Sequence, residues 1–125
     1  MRAFILFCCL LTHIFAFEWL TDYGEAAARA SEENKPVMAL LMRQTCPYCR
    51  MLLDETLVND TIVKEIERNY VPLIIDVEKD PEKTVEIGLN PRAVPATYII
   101  EGDRVTATLI GYRPPMEFMR FLQRN

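Results

Sequence analysis

The most constraining feature of this chain is an apolar run, Val37–Met42 (VMALLM), that ends four residues before Cys46 in a Cys-Pro-Tyr-Cys segment. An unbroken apolar run of this length indicates a strand that is buried on both faces. A helical pattern begins after Cys46, where Pro47 suits the first turn because its missing N–H would have no partner there. The fold must therefore cover both faces of this strand and hold two cysteines, Cys46 and Cys49, at its carboxyl end.

The segments around this strand alternate between helical and strand patterns. Asp60 is suited to cap a helix, and Pro81 and Gly88 mark the start and end of another. The order helix, strand, helix, helix, strand, helix favours crossover connections between parallel strands. We predict helices at Glu18–Lys35, Pro47–Leu57, Asp60–Asn69 and Asp80–Gly88, and a second buried strand at Tyr70–Val77.

The C-terminal part predicts a hairpin and a last helix. The segments ATYII, at 96–100, and RVTATLI, at 104–110, flank a turn that contains Gly102, which indicates two antiparallel strands. Pro114 and Pro115 open the amphipathic segment MEFMRFLQ. Together these patterns predict a single α/β domain with a mixed sheet.

The first sixteen residues, MRAFILFCCLLTHIFA, have the composition of a secretory signal peptide. Arg2 precedes the apolar stretch Phe4–Leu11, and Ala16 supplies a small residue at the predicted cleavage position. The apolar stretch is shorter than the roughly 20 residues of a membrane span, so an uncleaved anchor is the weaker alternative. We expect a signal peptide at 1–16, a folded domain at 17–125, and export to the periplasm or an equivalent compartment.

Removal of this segment restricts the chemistry of the mature chain. Cys8, Cys9 and His13 would leave with it, so that Cys46 and Cys49 would be the only cysteines and no histidine would remain. Zinc sites of four cysteines or of two cysteines and two histidines are then excluded, as are Cys–His and Ser–His catalytic pairs. With 13 basic and 18 acidic side chains, the mature net charge of −5 makes nucleic acid an unsuitable partner.

The Cys-x-x-Cys segment itself indicates redox chemistry. A cysteine at the start of a helix faces free N–H groups and the positive end of the helix dipole, which favour the thiolate. We therefore expect Cys46 to attack a substrate disulfide, and Cys49, about one turn further on, to resolve the mixed disulfide. Arg43 and Arg50 flank the pair, and we expect both side chains to be solvated; the alternative is that they turn toward the cysteines and lower the pKa of the thiols further.

Other roles for the two cysteines are weaker. A disulfide between residues three apart closes a very small loop and so removes little entropy from the unfolded chain. Two thiolates could hold Cu(I), with Met42 and Met51 close in sequence, but methionines in such positions are more often core residues. We therefore predict a redox pair and no resident metal or other cofactor, and keep a Cu(I)-binding module as an alternative.

A proline at the start of the first hairpin strand is a second notable feature. Pro95 cannot donate a hydrogen bond to a sheet, so its position at a strand entry requires a reason. A cis Val94–Pro95 peptide would leave a backbone edge free to pair with an extended substrate beside Cys46. The frequency of cis prolines alone favours an ordinary trans peptide.

Taken together, these motifs resemble the thioredoxin superfamily, and in particular its exported, SoxW-like members. The resemblance rests on the spacing of Trp19, Tyr23, Ala26 and Ala30 before NKPV, on the Cys-x-x-Cys, on TLVNDTIVKEIERNYV, and on VPATYII. It implies a thioredoxin-like fold, with a four- or five-stranded mixed sheet and helices on both faces, and a cis Pro95 that faces the cysteines. We expect Pro47, Tyr48, Val94 and Pro95 to contact the substrate.

The resemblance also implies a function and its partners. The expected activity is that of a monomeric thiol–disulfide oxidoreductase acting on protein disulfides or dithiols. An exported domain of this kind, without an inserted helical domain, resembles a reductant that receives electrons from a membrane protein.

The chain departs from thioredoxin itself at two positions near the pair. Leu40 stands where a thioredoxin has the aspartate that helps to move the proton of the resolving cysteine, and Thr45 stands where it has tryptophan. The Pro47-Tyr48 pair is instead typical of glutaredoxins, which makes a glutathione-dependent enzyme a further alternative. The Gly-Gly segment with which glutaredoxins help to hold glutathione is absent from this sequence.

Overall fold

The structure, a computed structural model, describes residues 18–125. The predicted signal segment 1–16, with Cys8, Cys9 and His13, lies outside the described residues. Helices follow at α1 (Tyr23–Glu33), α2 (Pro47–Met51), α3 (Asp60–Asn69), α4 (Pro81–Ile87) and α5 (Pro115–Gln123), and a π-helical turn at Leu52–Thr56 continues α2. The strands are β1 (Val37–Met42), β2 (Val71–Asp76), β3 (Ala96–Glu101) and β4 (Arg104–Ile110).

Within residues 18–125 the four strands form one mixed sheet in the order β2-β1-β3-β4. β1 is parallel to β2 and antiparallel to β3, and β3 forms the predicted hairpin with β4 around Gly102, whose φ is 62°. The α/β class and the mixed sheet are therefore confirmed, and the apolar run lies between two other strands. In the same part of the chain, no helix has the length and apolar character that a membrane crossing requires.

β1 separates two hydrophobic cores, because successive side chains of a strand point to opposite faces of the sheet. Its odd-numbered residues, from Val37 to Leu41, pack with α1 and β2 around Ala26 and Leu73. Its even-numbered residues, from Met38 to Met42, pack with helices α3 and α5 in the second core. All six side chains are buried, as the unbroken apolar run predicts. Helices on both faces of the sheet are thus confirmed.

Several helix ends differ from the sequence predictions, whereas α3 has the predicted bounds Asp60–Asn69. The first helix begins at Tyr23 rather than Glu18, because Asp22 caps it by accepting the Glu25 N–H at 2.8 Å. The preceding Leu20 is extended and bridges to Leu73 of β2.

The predicted cap of α3 was wrong by one residue. Asn59, not Asp60, accepts the N–H groups of Thr61 and Ile62, at 3.1 and 3.3 Å. The helix predicted at Pro47–Leu57 is α-helical only to Met51, after which the Leu57 N–H reaches back five residues to the Leu52 carbonyl. Such a wider turn inserts one extra residue into the helix and is frequent near functional sites.

Candidate active site

The sheet topology brings the two sequence motifs together. β1 ends at Met42, and its antiparallel neighbour β3 begins at Ala96, which lies opposite Leu41. The residues just before β3 therefore lie beside those that follow β1. As a result, the Cys46 thiol donates to the Val94 carbonyl oxygen across an Sγ–O distance of 3.7 Å, although 48 residues separate them in sequence.

Cys46 is the N-cap residue of α2. Its backbone is extended, with φ −85° and ψ 117°, and its Sγ accepts the Cys49 N–H at 3.3 Å. Pro47 occupies the first turn of the helix, as predicted, so the proline removes an N–H group that the helix could not have used. Both sulfurs are free thiols in this structure.

The pKa of the Cys46 thiol is lowered. Partial burial acts in the opposite direction, but it is outweighed by hydrogen bonds from the Cys49 thiol and from the backbone N–H groups of Cys49 and Tyr48, and by the charge of Arg43. A thiolate stabilised in this way is the reactive form in disulfide exchange. The predicted helix-start effect therefore acts on Cys46.

Cys49 has the opposite electrostatic environment. Burial, the hydrogen bond that its thiol makes to Cys46, and the nearby Cys46 charge together raise the pKa of Cys49 to about 11. A backbone hydrogen bond from Arg43 and the Arg43 charge act against this rise. Cys49 is only 1% exposed and Cys46 is 8% exposed, so Cys46 is the more accessible of the two sulfurs.

Both flanking arginines are exposed to solvent, as expected, but Arg43 also acts on the cysteine pair. Its guanidinium lowers the pKa of both thiols, and it also forms an ion pair with Glu78 at 3.7 Å. Glu78 was missed in the sequence because it lies far along the chain. The parallel pairing of Met42 with Asp76 places the two following loops side by side, so the predicted parallel strands carried a signal for this contact. Arg50 is exposed on α2.

The core beneath Cys49 contains no carboxylate in the described part of the chain. Leu40 is 1% exposed and lies opposite Thr97 of β3 in the same core as Cys49. Among residues 18–125 no acidic side chain is buried; apart from two tyrosines, the buried side chains with oxygen atoms are Thr56 and Thr97. Thr56 donates to the Arg113 carbonyl at 2.6 Å, whereas the Thr97 hydroxyl has no hydrogen-bond partner. No buried acid therefore replaces the aspartate that Leu40 displaces.

The other predicted site residues surround Cys46. Tyr48 is 62% exposed, Val94 is half-buried, Pro95 is buried, and the Val94–Pro95 peptide is cis, as the resemblance implied.

Tyr112, at the end of β4, packs against the second core and donates its hydroxyl to Glu55 at 2.7 Å. Tyr112 thus joins the end of β4 to the π-helical turn.

A metal site would require a group of at least three side chains of histidine, cysteine, aspartate or glutamate. No such group occurs between residues 18 and 125. Met42 is buried in the second core, while Met51 is 36% exposed on α2. Met42 therefore has the packing role that is usual for a methionine in this position.

Part of the chain is similar to a known mammalian protein. Over 74 residues the chain is 30% identical to mouse (Mus musculus) spermatogenesis-associated protein 20, a match that covers 58% of this chain and 9% of that protein. The chain thus spans less than a tenth of the length of this relative.

Solved structures match the fold over most of the described chain. A thioredoxin from Thermus thermophilus superposes with a TM-score of 0.72 at 23% identity, covering 86% of this chain and 85% of that one. The C-terminal domain of DsbD from Neisseria meningitidis, in its oxidised form, superposes with a TM-score of 0.67 at 19% identity, covering 86% and 99%. The expected thioredoxin-like fold is confirmed, and because residues 23–124 match the family model of the thioredoxin-like domain, the chain belongs to that family.

Proposed function

We propose that this protein is an exported thiol–disulfide oxidoreductase that reduces protein disulfides, with Cys46 as the nucleophile and Cys49 as the resolving residue. The observation that carries the proposal is the environment of Cys46 at the start of α2. Its sulfur accepts the Cys49 N–H, its pKa is lowered, and it is the more exposed of the two thiols. Fold and family support this chemistry without identifying the substrate.

The reaction proceeds by two exchanges of sulfur bonds. The Cys46 thiolate attacks one sulfur of the substrate disulfide, which breaks the substrate S–S bond, forms a mixed disulfide, and releases the other substrate sulfur as a thiolate that takes up a proton. Cys49 then loses its proton and attacks Cys46 Sγ, so that the second substrate sulfur leaves as a thiol. The substrate gains two electrons and two protons, and the Cys46–Cys49 pair becomes a disulfide.

The groups around the pair have different parts in these steps. The N–H groups of α2 and the Arg43 charge stabilise the Cys46 thiolate both before attack and as a leaving group. The buried Cys49 stays protonated, so it does not compete for the substrate. With Leu40 in place of a carboxylate, the Cys49 proton must leave to water or substrate after the mixed disulfide has formed.

A trapping experiment tests the assignment of the two roles. The Cys49→Ser variant retains the attacking thiol and lacks the resolving one, so it should accumulate mixed disulfides with partner proteins. A reducing agent should cleave these mixed disulfides. The Cys46→Ser variant is the matched control and should trap none. Absence of trapped partners with Cys49→Ser, while Cys46 still reacts with an alkylating agent, would remove the mechanism.

The reductive direction is the second part of the proposal. Within residues 18–125 no helical domain interrupts the four-stranded sheet, which is the architecture we associate with exported reductants. A stabilised Cys46 thiolate stabilises the reduced pair, which by itself favours the oxidising direction, so the reductive direction depends on a supply of electrons. A donor dithiol, which we propose is held by a membrane protein, must then return the pair to its reduced form. The redox state of Cys46–Cys49 in intact cells is the test, because a pair found mostly oxidised would make the protein a disulfide donor.

Export is the third part, and it rests on the sequence of residues 1–16. Fractionation of cells that produce the full chain should place the protein outside the cytoplasm, with a mature N-terminus at Phe17. A protein that retains Met1 and stays in the cytoplasm would contradict this part and leave the chemistry of the pair unaffected.

A further inference from the structure

A cavity of about 310 Å³ lies beside Cys46 and has not been used in the mechanism. Val94 lines it, and the Val94 carbonyl is the group that Cys46 Sγ contacts at 3.7 Å. Arg43 also lines it, and the Arg43 carbonyl accepts the Cys46 N–H at 3.3 Å. A substrate sulfur bonded to Cys46 would therefore lie at the edge of this cavity, with the neighbouring substrate residues within reach of it.

The cavity is positively charged in an acidic protein. Two of its lining side chains are arginines, Arg43 and Arg92, while the whole chain has a net charge of −4. Arg92 is exposed and forms no ion pair or side-chain hydrogen bond within the described chain. Its charge is therefore available to a ligand.

The other arginine is only loosely engaged. The Arg43–Glu78 ion pair spans 3.7 Å, and its side chains are 45% and 51% exposed. An exposed pair of this kind contributes little, on the order of 1 kcal/mol or less, so an incoming carboxylate can compete with Glu78. The Thr84 hydroxyl, also in the lining, already donates to Pro81 at 2.6 Å, which leaves the guanidinium groups as the charged donors.

The remaining walls are partly apolar. Val77 and Val94 line the cavity and are half-buried. A guanidinium matches a carboxylate through two parallel hydrogen bonds, so the two arginines are the groups that would recognise an anion here.

We propose that this cavity binds a carboxylate carried by the substrate next to its disulfide, so that the protein prefers acidic disulfide substrates. The carboxylate could belong to an aspartate or glutamate beside a polypeptide cysteine or to a small disulfide such as glutathione disulfide. This inference rests on the proposed function only in that Cys46 must react with a disulfide.

Arg92 is the residue that tests the proposal cleanly. Arg43 both lines the cavity and lowers the pKa of Cys46, so its removal would change reactivity and binding together. Arg92 has no part in the pKa shift of either cysteine. Arg50 is a matched control, because it is an exposed arginine directly after Cys49 and does not line the cavity.

The experiment measures the second-order rate at which Cys46 of the Cys49→Ser chain forms mixed disulfides. The probes are three disulfide peptides that differ only in glutamate, glutamine or lysine beside the cysteine, together with glutathione disulfide. We expect the glutamate peptide to react roughly three- to tenfold faster than the glutamine peptide, and this preference to shrink at high salt. Arg92→Gln should remove most of it, and Arg92→Glu should reverse it in favour of lysine. Arg50→Gln and Arg50→Glu should retain it.

Each outcome separates the possibilities. If Arg92→Gln lowers the reaction rate of the glutamate peptide alone, the site is assigned to polypeptide substrates. If it lowers the reaction rate of glutathione disulfide alone, the site is assigned to the small disulfide. Equal rates for all three peptides together with an unchanged glutathione disulfide rate in Arg92→Gln, or equal effects of the Arg50 and Arg92 variants, would overturn the proposal while the oxidoreductase function stood.

A chain that reacts with no disulfide would instead defeat the proposed function. The cavity would then be tested by the rates at which iodoacetate and iodoacetamide alkylate Cys46, since only the first carries a carboxylate. Arg92→Gln should lower the rate ratio of iodoacetate to iodoacetamide, and Arg50→Gln should not. An unchanged ratio would overturn the proposal by this route as well.

Discussion

The sulfur of Cys46 lies 3.3 Å from the backbone nitrogen of Cys49 and accepts its N–H. The two thiols nevertheless have opposite pKa shifts, with that of Cys46 lowered and that of Cys49 raised to about 11. The first faces the N–H groups at the start of α2, and the second is buried behind it. Cys46 is therefore the more acidic and more exposed thiol of the pair, and Cys49 stays protonated at neutral pH.

Removal of the Arg43 charge should make Cys46 less reactive. Because this charge lowers the pKa of Cys46, Arg43→Gln should raise that pKa and slow alkylation by iodoacetamide at pH 7 by roughly two- to threefold. The measurement is the alkylation rate of a Cys49→Ser background from pH 5 to 10. Arg50→Gln serves as the control, and a profile equally displaced in both variants would show that Arg43 has no particular effect.

Resolution of the mixed disulfide should speed up as pH rises. Burial, the largest cause of the raised Cys49 pKa, persists when Cys46 is bonded to a substrate, although the Cys46 charge is then absent. Below its pKa the thiolate fraction of Cys49 grows about tenfold per pH unit, so release of a model substrate should accelerate nearly in proportion from pH 6 to 8. Stopped-flow measurement of substrate release checks this. A rate that is flat over this range would indicate an internal proton acceptor that the described core lacks.

Replacement of the unpartnered Thr97 hydroxyl should stabilise the protein. Thr97 is 1% exposed and its Oγ1 has no hydrogen-bond partner, so Thr97→Val removes the cost of burying it and keeps a similar shape. We expect the free energy of unfolding to rise by about 1–2 kcal/mol in chemical denaturation. Thr108→Val, on the exposed face of β4, should change it by less than about 0.5 kcal/mol. A loss of stability in Thr97→Val would mean that the hydroxyl is satisfied in solution.

The cap of α3 offers a test of the helix boundary. Asn59 accepts two N–H groups of the first turn, so Asn59→Ala should lower the free energy of unfolding by about 1 kcal/mol. Asp60→Ala should cost less, because Asp60 lies inside the helix and contributes only its charge near the N-terminus. Thermal or denaturant unfolding of both variants decides between the two caps. A larger loss of stability in Asp60→Ala than in Asn59→Ala would support Asp60 as the cap, as the sequence predicts.

Sequence patterns predicted the elements well because the patterns are local. The apolar run Val37–Met42 identified β1 to the residue, and Gly88, with a φ of 74°, ends α4 where predicted. The cap of α3 was misplaced because asparagine and aspartate are both good N-caps and stand next to each other. The start of α1 was misplaced because the residues before Asp22 have no strong helix-breaking signal, while their pairing with β2 is a tertiary contact.

The cysteine pair was equally accessible to sequence reasoning, but its surroundings were not. The Arg43–Glu78 contact, the isolation of the Thr97 hydroxyl and the cavity around Arg92 each depend on segments that are distant in sequence. Local patterns do not report where such side chains meet. The sequence alone shows that Leu40 stands where thioredoxin has an aspartate. The lack of any carboxylate in the surrounding core becomes visible only when the packing of the side chains is known.

β1 divides its side chains between both cores and ends at the active site, so neither helical layer can separate from the sheet without exposing this strand. The domain should consequently lose both cores in one cooperative event. Cys49, at 1% exposure, would then become accessible to a bulky thiol reagent only when the whole domain opens. In a Cys46→Ser chain, the labelling rate of this one sulfur would serve as a clock for global unfolding.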